Sequence, residues 1–125
     1  MKQKIETNKS PKAIGPYSQA IINGKMIFIS GQIHLTPDGK LLNGTIEEQT
    51  HQVMKNLKNV LEKAGVTFDE VVKTTIYVTD MSYYGKLNLI YGSYMTEPFP
   101  ARETVCVTEL PLGANLEISM VAIKD

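Results

Sequence analysis

The chain has 125 residues, enough for one domain, 1–125, whose hydrophobic core needs no disulfide or metal to hold it. Thirteen Lys plus Arg balance thirteen Asp plus Glu, so no net positive field draws a polyanion, and nucleic acid is not an expected partner. A single cysteine, an opening Met1 to Thr7 without the features of a secretory leader, and no apolar run of membrane length together predict a cytoplasmic protein with no membrane partner.

In chain order, Ser10 to Pro16 contains two prolines and a glycine and predicts an extended or looping entry. A hairpin follows, with arms Tyr17 to Ile22 and Lys25 to Ser30 joined through Asn23-Gly24 in a type I′ turn. Met26-Ile27-Phe28-Ile29 is apolar at every position, the pattern of a strand inside the sheet with both faces covered. Thr36 to Lys40 reads as a turn and Leu42 to Gly44 as a loop.

Thr45 and Glu48 have capping-box spacing, and a helix is predicted from there, with Ile46, Val53, Leu57, Val60, Leu61 and Ala64 on its apolar face and Gly65 after its end. Val71 to Val78 is rich in β-formers. Asp80 is placed to cap a second helix reaching about Met95, with Tyr84, Leu87, Tyr91 and Tyr94 at helical spacing. Pro98 and Pro100 stop it. Two more strands, Glu103 to Thr108 and Asn115 to Ile123, flank the turn Pro111-Leu112-Gly113.

This order describes an α+β domain, a mixed sheet with two helices on one face. The opposite face still carries apolar strand residues, and burial against further copies of the same chain is the simplest way to remove them from water.

Chemistry has few candidates. His34, His51 and Cys106 lack ligand spacing, and no phosphate loop or dinucleotide fingerprint is present, so neither a metal nor a nucleotide cofactor is expected. Structural roles suit all three: His34 at a strand end, His51 on the surface of the first helix, and Cys106 as a small buried hydrophobe in a strand. Arg102 follows the stiff segment Phe99-Pro100-Ala101. Its fork suits bidentate capture of a carboxylate, but local sequence by itself favours an ordinary surface arginine. Glu117 alternates with Leu116, Ile118 and Met120 and falls on the opposite face with Ser119 and Val121. There it is either a general acid or base or a solvated edge residue. Packing and turn chemistry account for Tyr17, Ser30, Gly31 and Asn88.

The whole set of segments, Ala13 to Ala20, Ile29 to Ile33, Val72 to Asp80, Phe99 to Val105, Leu110-Pro111 and Glu117-Ile118, resembles the Rid/YjgF family in order and spacing from about residue 8 onward. The resemblance implies a chorismate-mutase-like α+β fold assembled as a homotrimer, with active sites in inter-subunit clefts. It also implies a cofactor-free 2-iminobutanoate/2-iminopropanoate deaminase. Such an enzyme hydrolyses the enamines and imines released by pyridoxal-phosphate-dependent dehydratases to 2-keto acids and ammonia. On that resemblance Arg102 grips the substrate carboxylate, Glu117 activates water and moves protons, and Tyr17, Ser30, Gly31, Asn88 and Thr104 line the cleft. Thr104 stands where many deaminating members have cysteine, Ser119 where a second acid is common, and the stretch before Phe99 is short. Two other roles fit the same resemblance: a non-catalytic trimeric sensor of 2-keto acids or other small carboxylates, and an RNA-directed translation inhibitor or ribonuclease. The balanced charge argues against the RNA role.

Overall fold

A computed structural model describes residues 1–125. The strands are β1 (Gln3–Ile5), β2 (Ala20–Asn23), β3 (Met26–Ile33), β4 (Val71–Val78), β5 (Ala101–Cys106) and β6 (Leu116–Ile123), and the helices are α1 (Ile46–Lys63) and α2 (Tyr84–Tyr94). They form one six-stranded sheet in the order β1-β2-β3-β6-β4-β5. Every neighbouring pair is antiparallel except β4 and β5, which run parallel. This is the α+β fold anticipated above.

The sequence dictates α1 most directly. The Thr45 side chain accepts from the Glu48 N–H, and the Glu48 carboxylate accepts from the Thr45 N–H, so two donors that a helix start leaves open are both satisfied. Val53, Met54, Leu57, Val60 and Leu61 then turn one stripe onto the sheet, where they meet Ile27, Ile29, Ile76, Ile118 and Met120. Gly65 follows at φ +86°, where a side chain would be strained. Helix α2 lies on the same side of the sheet. Leu87 joins the core, and the Tyr91 hydroxyl donates to Thr74 Oγ1 at 3.0 Å.

Several local expectations are corrected. Asn23 pairs with Met26, so the hairpin turn is Gly24-Lys25, and positive φ at Gly24 alone fits a type II′ turn instead of I′. Tyr17 lies in the entry loop, outside β2, and the short edge strand β1 was not foreseen. β3 is interior to the sheet, but only one of its faces is covered: Ile27 and Ile29 are buried, while Met26 and Phe28 face outward. Asp80 caps a short 3-10 turn, Met81–Tyr83, that leads into α2, instead of capping α2 itself. The last two strands do not pair with each other, because β6 inserts between β3 and β4 and leaves β5 at the edge. Cys106 is therefore exposed at the end of an edge strand, not buried. His51 is half-buried and shares a 2.8 Å hydrogen bond with the Tyr94 hydroxyl.

His34 is fully buried and holds two loops together. Its Nδ1–H donates to the Leu42 carbonyl at 2.9 Å and its Nε2 accepts from the Asn115 N–H at 2.9 Å. These partners fix the neutral Nδ1–H tautomer, and burial holds the pKa below the ordinary value.

Candidate active site

Two clusters of polar side chains stand out, one on each side of the sheet. The first centres on Glu117. A β-bulge interrupts the β3–β6 pairing between Ile29 and Gln32, taking Ser30 and Gly31 out of the regular ladder. Gly31 then lies directly against the Glu117 carboxyl. A Cβ on residue 31 would fall 2.4 Å from Glu117 Oε2, so any side chain there would displace that carboxyl from its position. Glu117 forms no salt bridge within the chain, and loss of hydration raises its pKa above the ordinary carboxylate value.

Over this carboxyl opens a cavity of about 520 Å³, walled by the entry loop with Ile14 and Tyr17, by Ser30 and Gly31, and by Pro111 and Leu112. Two side chains here are committed to shaping it. The Ser30 hydroxyl donates to the Ser18 carbonyl at 2.6 Å, and the Tyr17 hydroxyl accepts from the Ile14 N–H at 3.2 Å. Buried Gln19 pins the start of the loop, accepting from the Thr7 N–H at 2.7 Å and donating to the Pro11 carbonyl at 2.8 Å.

The second cluster centres on Arg102, the only arginine in the chain. Nη1 donates to Asn88 Oδ1 at 2.7 Å and Nη2 donates to the Tyr84 hydroxyl at 2.6 Å. The guanidinium carbon lies 5.6 Å from the Tyr84 ring centre and 5.1 Å from that of Tyr91, within cation–π range of both. Tyr84, Asn88 and Tyr91 are separated by four and three positions, so one face of α2 supplies all three partners. A second cavity, about 280 Å³, opens here between Asn88, Tyr91, Phe99, Pro100 and Arg102. No carboxylate pairs with Arg102 within the chain.

A profile of the family described as endoribonuclease L-PSP matches residues 7–124. The chain belongs to this family, the Rid/YjgF proteins. The human 2-iminobutanoate/2-iminopropanoate deaminase is 44% identical over 121 residues, spanning 96% of this chain and 88% of its own. A Thermotoga maritima structure described as a candidate endoribonuclease superposes with a TM-score of 0.97 at 47% identity, covering 100% of this chain and 99% of that one. The Escherichia coli TdcF structure, which holds bound serine, superposes with a TM-score of 0.93 at 32% identity, covering 98% of this chain and 99% of that one.

Of the residues that resemblance to the Rid proteins singled out, Tyr17, Ser30, Gly31 and Glu117 come together, and Arg102 and Asn88 come together, but the two groups lie apart. Arg102 pairs with Thr74, whose side chain points to the helices, whereas Glu117 pairs with Tyr77 on the open face. A single copy of this Rid chain therefore carries the two polar clusters on opposite faces of its sheet. Thr104, on the Arg102 side of β5, has a buried hydroxyl with no hydrogen-bond partner. Sequence reasoning gave no role to Tyr84 and Tyr91 at Arg102 or to Ile14 and Leu112 at the Glu117 cavity. Helical spacing from Asn88 would have marked the tyrosines. Nothing local marked Ile14 or Leu112.

Proposed function

We propose that this Rid-family protein hydrolyses small 2-imino acids and their enamine tautomers to 2-keto acids and ammonia, in clefts formed where copies of the chain meet. The observation that carries this reading is the complementarity of the half-sites: a preorganised guanidinium without a carboxylate, and a desolvated carboxyl without a cation. The open sheet face supports assembly, because Met26, Phe28, Val105 and Ile123 expose apolar surface across β3, β5 and β6. Three copies closing on that face, as a homotrimer, would set Arg102 of one chain beside Glu117 of the next.

Arg102 then binds the substrate carboxylate, held in place by Asn88 and Tyr84 so that little freedom is lost on binding. Tyr17, Ser30 and Gly31 shape the space over Glu117, and Thr104 lies near the guanidinium on the same strand face. The Glu117 carboxylate takes a proton from a water that attacks the imine carbon, and the carboxylic acid so formed returns it to the departing nitrogen. Water adds, a C–N bond breaks, and ammonia and a 2-keto acid leave. The human relative is named for this reaction, and TdcF binds an amino acid carrying the same carboxylate. Equal numbers of acidic and basic residues give no support to an RNA substrate.

The test couples a serine or threonine dehydratase to the purified protein and follows decay of the imine. Wild type is expected to speed keto-acid formation, and Arg102→Ala and Glu117→Ala to lose that effect. Equal acceleration by wild type and Arg102→Ala would overturn the reading. Keto-acid binding retained by Glu117→Ala without turnover separates an enzyme from a sensor.

A further inference from the structure

The cavity over Glu117, about 520 Å³ in the single chain, is walled largely by apolar groups. Of its polar lining, Ser30 and Gln19 spend their side-chain groups on backbone partners. What remains without a partner in the chain is the Glu117 carboxyl, the Gln32 amide and, at the rim, Lys12, whose charge acts on Glu6 outside the cavity. The other walls are hydrocarbon: Ile14, Ile33, Leu35, Pro111 and Leu112. A ligand filling this space has one polar, reacting end at Glu117 and an apolar remainder.

Leu112 makes the point sharper. It sits in the left-handed region, φ 58° and ψ 19°, the only residue other than glycine with positive φ, and a leucine is disfavoured there. Self-burial does not compensate for that conformation, because Leu112 is 70% exposed, and Ile14 across the mouth is 81% exposed. Strain held at the edge of a cavity, by a side chain gaining little from its own fold, is a signature of a ligand contact.

We propose that Leu112 and Ile14 form an apolar rim that selects 2-imino acids with extended apolar side chains, branched aliphatic or aromatic, over the smallest ones. This rests on the reading of Glu117 as the catalytic carboxyl. With the imine carbon at Glu117 and the carboxylate on Arg102 of a neighbouring copy, the substrate side chain is the part left to lie against this rim. Each methylene it buries there strengthens binding severalfold.

The test generates imines in situ from alanine, leucine and phenylalanine with an L-amino acid oxidase, and reads their hydrolysis against capture by semicarbazide. For wild type, kcat/KM is expected to be about tenfold or more higher for the leucine-derived imine than for the alanine-derived one. Leu112→Asn keeps a residue that tolerates left-handed backbone and removes the hydrocarbon. It is expected to lower the leucine-to-alanine ratio about tenfold, and Ile14→Asn to lower it in the same direction. A wild-type ratio near one, or variants that lose both substrates equally, would overturn the proposal while leaving the deaminase reading intact. If no imine is hydrolysed faster than in buffer, the deaminase reading itself fails and this inference with it.

Discussion

Glu117 gives up hydration without gaining a cation in its own chain, so its charged form is the less stable one in the folded protein. Between about pH 4.5, the ordinary carboxylate value, and its raised folded value, the native state therefore binds more protons than the unfolded state, and stability falls as pH rises. Glu117→Gln is expected to be inactive yet more stable than wild type at pH 7 to 8. Thermal melts across pH should show that gap closing as the pH falls from the raised folded value toward about 4.5. His34 acts with the opposite sign: its folded pKa is lowered, so its stabilisation is lost as pH falls below about 6.5. In Glu117→Gln that acid sensitivity stands without the opposing contribution of Glu117. At the other half-site, Tyr84→Phe keeps the ring beside Arg102 and removes the acceptor of Nη2. Steady-state kinetics should show KM raised about five- to tenfold with kcat changed far less, since a fork less well placed binds the carboxylate more weakly throughout the reaction.

The bulge in β3 and the strand beside it bring Gly31 against the Glu117 carboxyl. Gly31→Ala puts a methyl where the Glu117 carboxyl lies, so either the carboxyl or the bulge must move. A displacement of this kind is expected to lower kcat/KM about a hundredfold while the melting temperature changes little, because Gly31 itself is exposed. For α1 the expectation is reversed. Thr45→Ala removes a cap far from both half-sites and is expected to cost about 1 kcal/mol in a denaturant melt with activity unaffected. The elements themselves differ in how plainly the sequence declares them. Helix α1 was legible end to end because its capping box, apolar stripe and terminal glycine agree. The hairpin register was off by one residue, since Asn23 and Gly24 both tolerate a turn and pairing with β3 decides between them. Cys106 was misplaced because a position within a strand pattern suggests burial, whereas Cys106 ends β5 and β5 lies at the edge of the sheet.

On the proposed reading, Arg102 and Glu117 lie on opposite faces of one sheet, and activity requires more than one copy of the chain. Mixing inactive Arg102→Ala and Glu117→Ala chains under conditions that exchange copies is expected to restore activity to about a quarter of the clefts, those that draw an intact Arg102 from one chain and an intact Glu117 from another. Activity assays on the mixture against each variant alone check this, and no recovery would place both residues of a working site in the same chain. By itself the sequence determined the α+β order of elements, the helix stripe and the face on which Glu117 falls, and it singled out the residues proposed to do chemistry. Each follows from local periodicity and from side-chain type. What only the tertiary structure decided is which of those residues meet. The order of strands in the sheet, the bulge at Gly31 and the return of the entry loop and Leu112 over Glu117 all depend on contacts between segments far apart in the chain, and no local pattern encodes those.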